Sequence, residues 1–256
     1  MTATQPAPPL SADHDVKPIN PRRKPAPFPL SIYQTAVGKK WVMAITGLMM
    51  MGFVFFHMFG NLKMYLGPEE FNEYAHGLRT MLHPILPNQL FLWIMRTGLI
   101  VAFILHLHSA YSLTMMNRRA RPVKYQSKRD YIAANFASQT MRWSGIIVLA
   151  FIGFHLLNLT FGKVAAPGFE DGMVYQNVVY ALDQPWVAAI YIVSNLALGV
   201  HLFHGAWSLF QSLGVNSPRL NPLRKGFAIG FTAIVIGLNL TFPIAVLAGV
   251  VSVPST

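Results

Sequence analysis

The chain of 256 residues contains no cysteine. Disulfides, thiolate metal sites and cysteine-ligated iron–sulfur clusters are therefore excluded within it. Charge is the second scarcity: Asp, Glu, Lys and Arg together make up 11% of the residues, where a soluble domain carries about a quarter. Only nine of these are acidic, and none lies inside the long apolar runs. That argues against an autonomous proton pump and against a transition-metal transporter, which would mix carboxylates or thiolates into its path. The short alternating segments of a transmembrane β-barrel are missing as well. What remains is apolar: hydrophobic residues make up 53% of the chain and the mean hydropathy is +0.41. The charges leave uninterrupted runs of about 20 residues, enough to cross a bilayer core as helix. The expected class is an all-α integral membrane protein, with five transmembrane helices in a bundle.

The spans are expected at about Lys39–Leu62, Gln89–Met116, Gln139–Phe161, Pro185–Leu213 and Gly226–Val250. Residues 1–30 carry eight prolines and too little apolar surface to order themselves, so they read as a disordered tail ahead of one membrane domain, 31–256. The first outer loop holds Gly67-Pro68-Glu69-Glu70 and a short amphipathic piece, Phe71–Met81. The second, Gly162–Gln184, reads as loop, and Ser217-Pro218 with Asn221-Pro222 reads as a turn. No internal repeat stands out. The net charge of +11 would suit nucleic acid, but its placement does not. Sixteen of the 20 Lys and Arg fall within residues 1–40, 117–142 and 214–225, whereas 63–96 and 163–184 hold four basic and six acidic residues. This alternation is the positive-inside pattern. It implies a multi-pass membrane protein with a cytoplasmic N-terminus, an outer C-terminus, and a basic face for anionic lipid or a cytoplasmic partner.

Four of the five spans carry a histidine at membrane depth: His57, His106 (with His108), His155 and His201 (with His204). Imidazole in hydrocarbon is costly and is normally retained for a task. Neutral imidazole is a common axial ligand of electron-transfer haem, so four histidines on four helices read as two bis-histidine haems. Measured from the cytoplasmic end at ~1.5 Å per residue, His57 lies about 25 Å in, His155 and His201 about 20 Å, and His106 about 16 Å. The order favours an outer pair, His57 with His155, and an inner pair, His106 with His201. Small residues one turn away, Gly60, Ala102, Ala110, Ala197 and Gly205, would give a porphyrin room. Lys63, Arg79, Arg96, Tyr111, Arg142 and Ser144 are available to propionates. His204 reads as a supporting or packing residue, and His14, His76 and His83 as solvated.

Several strings in this order and spacing resemble one family: Thr46-Gly47 through His57-Met-Phe-Gly-Asn61, Phe71-Asn72 to His76, and Leu113-Thr114 with Asn117-Arg118-Arg119-Ala120-Arg121-Pro122. Arg142-Trp-Ser-Gly145 leading to His155 and His201 through Gly205-Ala-Trp207 complete the set. Together they are similar to the five-helix, di-haem cytochrome b subunit that anchors succinate dehydrogenases and fumarate reductases, most like actinobacterial members. The resemblance implies two haem b groups, the low-potential one on His57 and His155 and the high-potential one on His106 and His201. His108 is the rival of His106 by its spacing to Tyr111. It also implies a flavoprotein and an iron–sulfur subunit on the cytoplasmic face, menaquinone or another quinone as acceptor, and no succinate chemistry in this chain. The carbonyls of that quinone would find Lys63, Arg79 and His83 at the outer edge, or Tyr33, Gln34 and Arg142 at the inner one. A glutamate that some relatives place two residues before the last ligand is Gly199 here. Two other readings stand beside it: a di-haem anchor of a formate dehydrogenase or hydrogenase type enzyme, and a haem-free membrane transporter or scaffold. The oligomeric state of the complex is left open.

Overall fold

A computed structural model describes residues 26–120, 132–215 and 217–253, with side chains from 140 onward in the second of these stretches. The tail expected to be disordered lies outside the described residues up to position 25, as does the centre of the basic loop, 121–131. Among the described residues the chain is helical throughout, with no strand. Eight α-helices follow in order: α1 Leu30–Gln34, α2 Ala36–Asn61, α3 Pro68–Thr80, α4 Leu90–Arg119, α5 Ile132–His155, α6 Val174–Leu182, α7 Pro185–Ser212 and α8 Asn221–Leu247. Five stretches are long and apolar enough to cross a membrane: Ala36–Leu66, Leu90–Arg119, Thr140–Thr160, Pro185–Ser212 and Asn221–Leu247.

Local chemistry explains where the elements begin. The Thr35 hydroxyl accepts from the Gly38 backbone N–H and caps α2. Prolines open α3 and α7 and sit in the first turn of α8, where their missing N–H costs nothing. This last point corrects the expectation that Asn221-Pro222 is only a turn: the helix starts there, five residues before Gly226. The second outer loop also contains a helix, α6. Its backbone is capped from another element, because the Tyr175 N–H donates to Asn72 Oδ1 of α3 at 2.9 Å. The Asn72 amide in turn reaches Gln176 at 3.1 Å. Residues Leu156–Thr160, directly after α5, widen into a π-helical turn, a feature frequent at functional sites.

The best-buried core lies at the end of the bundle that carries the acidic loops. Met58, Met64, Phe71, Val179, Leu182, Val187 and Val246 pack there between α2, α3, α6, α7 and α8. Burial is uneven among the spanning helices. The most apolar stretches of α4 and α5 bury 6% and 11% of their residues within the protein, against 39% for α7. The remaining apolar surface is what a lipid-facing helix presents. α2 packs along α4, α5 along α7, and α7 along both α2 and α8. Among the described residues α2 scarcely touches α5, and α4 scarcely touches α7.

Gly60 serves this packing and not the porphyrin room expected of it. A Cβ there would stand 2.6 Å from the Tyr74 hydroxyl of α3 and 2.8 Å from its ring. Gly60→Val should therefore push α3 off the end of α2 at a cost of about 1–3 kcal/mol. The check is thermal unfolding in detergent, with Gly52→Ala, where a Cβ meets nothing within 4 Å, as the neutral comparison.

Candidate functional site

The four spanning histidines meet in two pairs across the diagonals of the bundle. The ring centres of His57 (α2) and His155 (α5) are 5.9 Å apart with planes at 82°. Those of His106 (α4) and His201 (α7) are 6.5 Å apart at 63°. Among the described residues the backbones of these helix pairs scarcely approach one another, and the rings reach across between them. His57 is exposed, and the other three are half-buried.

The two pairs are well separated in depth. His106 lies against Thr46 and Gly47 of α2, and His57 is ten residues beyond Gly47 on the same helix. His201 lies against Ser144 and Gly145 of α5, and His155 is ten residues beyond Gly145. At 1.5 Å per residue both helices place the pairs about 15 Å apart along the axis. This is a wider gap than the few ångströms expected from helix ends alone.

A shared local pattern holds the pair nearer the basic end. Thr46 Oγ1 stands 3.2 Å from His106 Nδ1 and donates to the Val42 carbonyl at 2.7 Å. Ser144 Oγ stands 3.5 Å from His201 Nδ1 and donates to the Met141 carbonyl at 3.1 Å. Each hydroxyl has one proton, and that proton is committed to a carbonyl. The hydroxyl oxygen can then only accept, so each imidazole donates from Nδ1 and keeps an unprotonated Nε2. The neighbouring glycines make the approach close: a Cβ on Gly47 would lie 3.5 Å from His106 Cε1, and one on Gly145 would lie 3.3 Å from His201 Cε1. Thr46-Gly47 followed by His57, and Ser144-Gly145 followed by His155, is a hydroxyl–glycine–histidine pattern written twice at one spacing. That spacing was the signal in the sequence for the two hydroxyls and glycines as imidazole partners.

The other pair is held differently. His155 Nδ1 lies 3.2 Å from the Tyr191 hydroxyl of α7, which donates to Asn158 Oδ1 at 2.9 Å. His57 stacks on Phe53 at 5.3 Å and has no hydrogen-bond partner among the described residues. Tyr191 and Asn158 carried no distinctive sequence signal, since a lone tyrosine or asparagine in an apolar span reads as packing.

The arrangement fits a metal between two imidazoles. A metal–imidazole bond is about 2 Å and the ring centre lies about 1 Å behind the nitrogen, so two rings on opposite sides of one metal have centres about 6 Å apart. Both pairs meet this spacing, and three of the four rings carry an Nδ1 partner of the kind that fixes a ligand's tautomer. Among the described residues no three His, Asp or Glu side chains gather into a protein-only metal site. With two imidazoles at each site, the remaining ligands of a six-coordinate metal would have to come from a macrocycle such as a porphyrin.

The remaining candidates separate by position. His108 faces away from His201, is exposed, and bonds through Nδ1 to the Tyr33 hydroxyl, which also lies 3.1 Å from Ser109 Oγ. Lys39, buried beside them, donates to the Tyr33 carbonyl at 2.7 Å and lies over the Tyr33 ring. Gln34 is exposed and accepts from the Ala26 N–H at 3.5 Å. Lys63 pairs with Glu70 at 3.4 Å and Arg79 with Asp171 at 3.0 Å. Arg96 is exposed against the Trp93 ring, and Tyr111, Arg142 and His83 are exposed. His204 shares its Nε2 with Thr140 Oγ1 at 3.3 Å.

In the metal-free chain, ¹⁵N spectra of labelled histidines should show the Nδ1–H tautomer for His106, His155 and His201. Nε2–H at these three positions would contradict the assigned donors. Comparison with protein-family models, with curated proteins and with solved structures gives no match.

Proposed function

We propose that the chain is a di-haem cytochrome b that anchors a succinate:quinone oxidoreductase in the membrane. The observation that carries this reading is the pair of imidazole spacings, 5.9 and 6.5 Å, on four helices at two depths. Bound there, two haem b groups would supply one-electron carriers on the line from an iron–sulfur donor at one face to a quinone in the membrane. His57 and His155 would hold one group, His106 and His201 the other.

The chain's own residues have three tasks in this scheme. Thr46 and Ser144 orient His106 and His201 by accepting from Nδ1, and Gly47 and Gly145 let those rings come close to α2 and α5. Lys40, Arg118, Arg119, Arg142, Arg219 and Lys225 cluster on the spans' basic ends and suit the docking of soluble flavoprotein and iron–sulfur subunits. At that same edge Tyr33, His108 and Ser109 form a polar group within the apolar rim, the chemistry a menaquinone headgroup would need. The membrane is a bacterial plasma membrane in this scheme, with the basic ends in the cytoplasm. Succinate itself is oxidised elsewhere in the complex.

Haem content tests the ligand assignment. His57→Ala, His106→Ala, His155→Ala and His201→Ala should each lose one of two b haems per chain, while His108→Ala keeps both. Loss in His108→Ala and retention in His106→Ala would reverse the choice on α4. The partner assignment is tested by mild-detergent purification. A co-purifying flavoprotein that reduces the haems with succinate is the expected result, whereas reduction by formate or hydrogen would assign the anchor to a different dehydrogenase.

A further inference from the structure

We infer that Tyr191 is a positioning residue that sets the electron-donating strength of His155, and through it the potential of the centre at the acidic end. The inference rests on the haem reading given above and concerns residues that the reading does not use. Tyr191 is 7% exposed and Asn158 is fully buried. In hydrocarbon such groups are retained only when every polar atom is satisfied.

The polarity of the network follows from counting donors. The Asn158 amide has two hydrogens, and both are spent on backbone, at 2.9 Å to the Val164 carbonyl and 2.8 Å to the Ala165 carbonyl. Its Oδ1 can only accept, so the Tyr191 hydroxyl must donate to it. The phenol oxygen is then left as the acceptor for His155 Nδ1–H. The chain of bonds runs one way, from His155 through Tyr191 to Asn158, and ends on a side chain pinned to backbone.

Local structure exists to hold it. The π turn Leu156–Thr160 begins at the residue after His155 and carries Asn158. Beyond it, the Lys163 and Val164 N–H groups both return to the Leu157 carbonyl, which folds the chain back over the amide. The Tyr191 ring is clamped edge-on by Phe151 at 5.1 Å and by Phe154 at 6.2 Å. The opposite ligand, His57, stacks on the Phe53 ring and makes no hydrogen bond among the described residues. His155 is thus the ligand of that pair whose basicity the protein controls. An acceptor on Nδ1–H that is itself polarised raises the basicity of Nε2 and favours the oxidised metal. Its removal should raise the potential.

The test is a redox titration of the full complex, parent against Tyr191→Phe, which keeps the ring and deletes the hydroxyl. Both haems should remain bound. One midpoint should rise, changing the oxidised-to-reduced ratio at the parent midpoint by roughly tenfold, the size such partners contribute to metal affinity at the lower end. The other midpoint should stay. Asn158→Leu, which leaves Tyr191 intact but frees its proton, should move the same midpoint the same way and serves if Tyr191→Phe does not fold. Two retained haems with both midpoints unchanged in these variants would overturn the inference alone. A parent chain without haem would overturn it together with the reading it rests on, and the His155 Nδ1–H resonance of the metal-free chain, shifting in Tyr191→Phe, keeps the bond itself measurable.

Discussion

The rest of the structure depends on how a histidine inside an apolar bundle disposes of its two nitrogens. Water is not there to satisfy either, so each must find a protein partner or a ligand. In this chain the Nδ1 of three of the four spanning histidines meets a hydroxyl oxygen whose own proton is already committed: Thr46 to Val42, Ser144 to Met141, Tyr191 to Asn158. The second nitrogen is thereby left with a lone pair, and in each pair a partner helix brings another imidazole to within 6.5 Å between ring centres. Burial alone would ask only that each ring be bonded. The pairing across diagonals asks for more, because α2 with α5, and α4 with α7, gain little else from being brought together.

The two halves of the bundle solve the problem in the same way. α2 leans its Thr46-Gly47 step on the histidine of α4 and carries His57 ten residues past Gly47. α5 leans its Ser144-Gly145 step on the histidine of α7 and carries His155 ten residues past Gly145. Each helical pair therefore supplies half of each site, and neither site can form without both. α8 carries no histidine and packs along α7, completing the apolar core. α3 and α6 close the acidic end, tied by Asn72, and the ion pair of Arg79 with Asp171 ties α3 to the loop ahead of α6. Asymmetry enters only at the second tier, where a tyrosine and a π turn replace the aliphatic hydroxyl.

Much of this was legible in the residues because membrane physics leaves few choices. Five apolar runs, the alternation of basic and acidic loops, and histidines at compatible depths lead directly to the helices and to which rings could meet. The less legible parts have physical causes. α6 is nine residues long and is capped from α3, so nothing adjacent in sequence announces it. The Asn221-Pro222 step reads equally as a turn or as a first helical turn, since proline suits both. Gly60 looked like space beside His57 and is instead the floor for Tyr74. Ser144 looked available to a charged group at the membrane edge, but it is buried and faces His201. Tyr191 and Asn158 become meaningful only when a π turn rotates one beneath the other.

The central claim is that each imidazole pair is an axial ligand set. The most direct measurement is electron paramagnetic resonance with haem quantification on the purified, oxidised protein. The account predicts two haems per chain, both low-spin with bis-imidazole ligation, and no high-spin signal from an open coordination position. A folded, full-length chain with no haem, or with a five-coordinate iron, would contradict it.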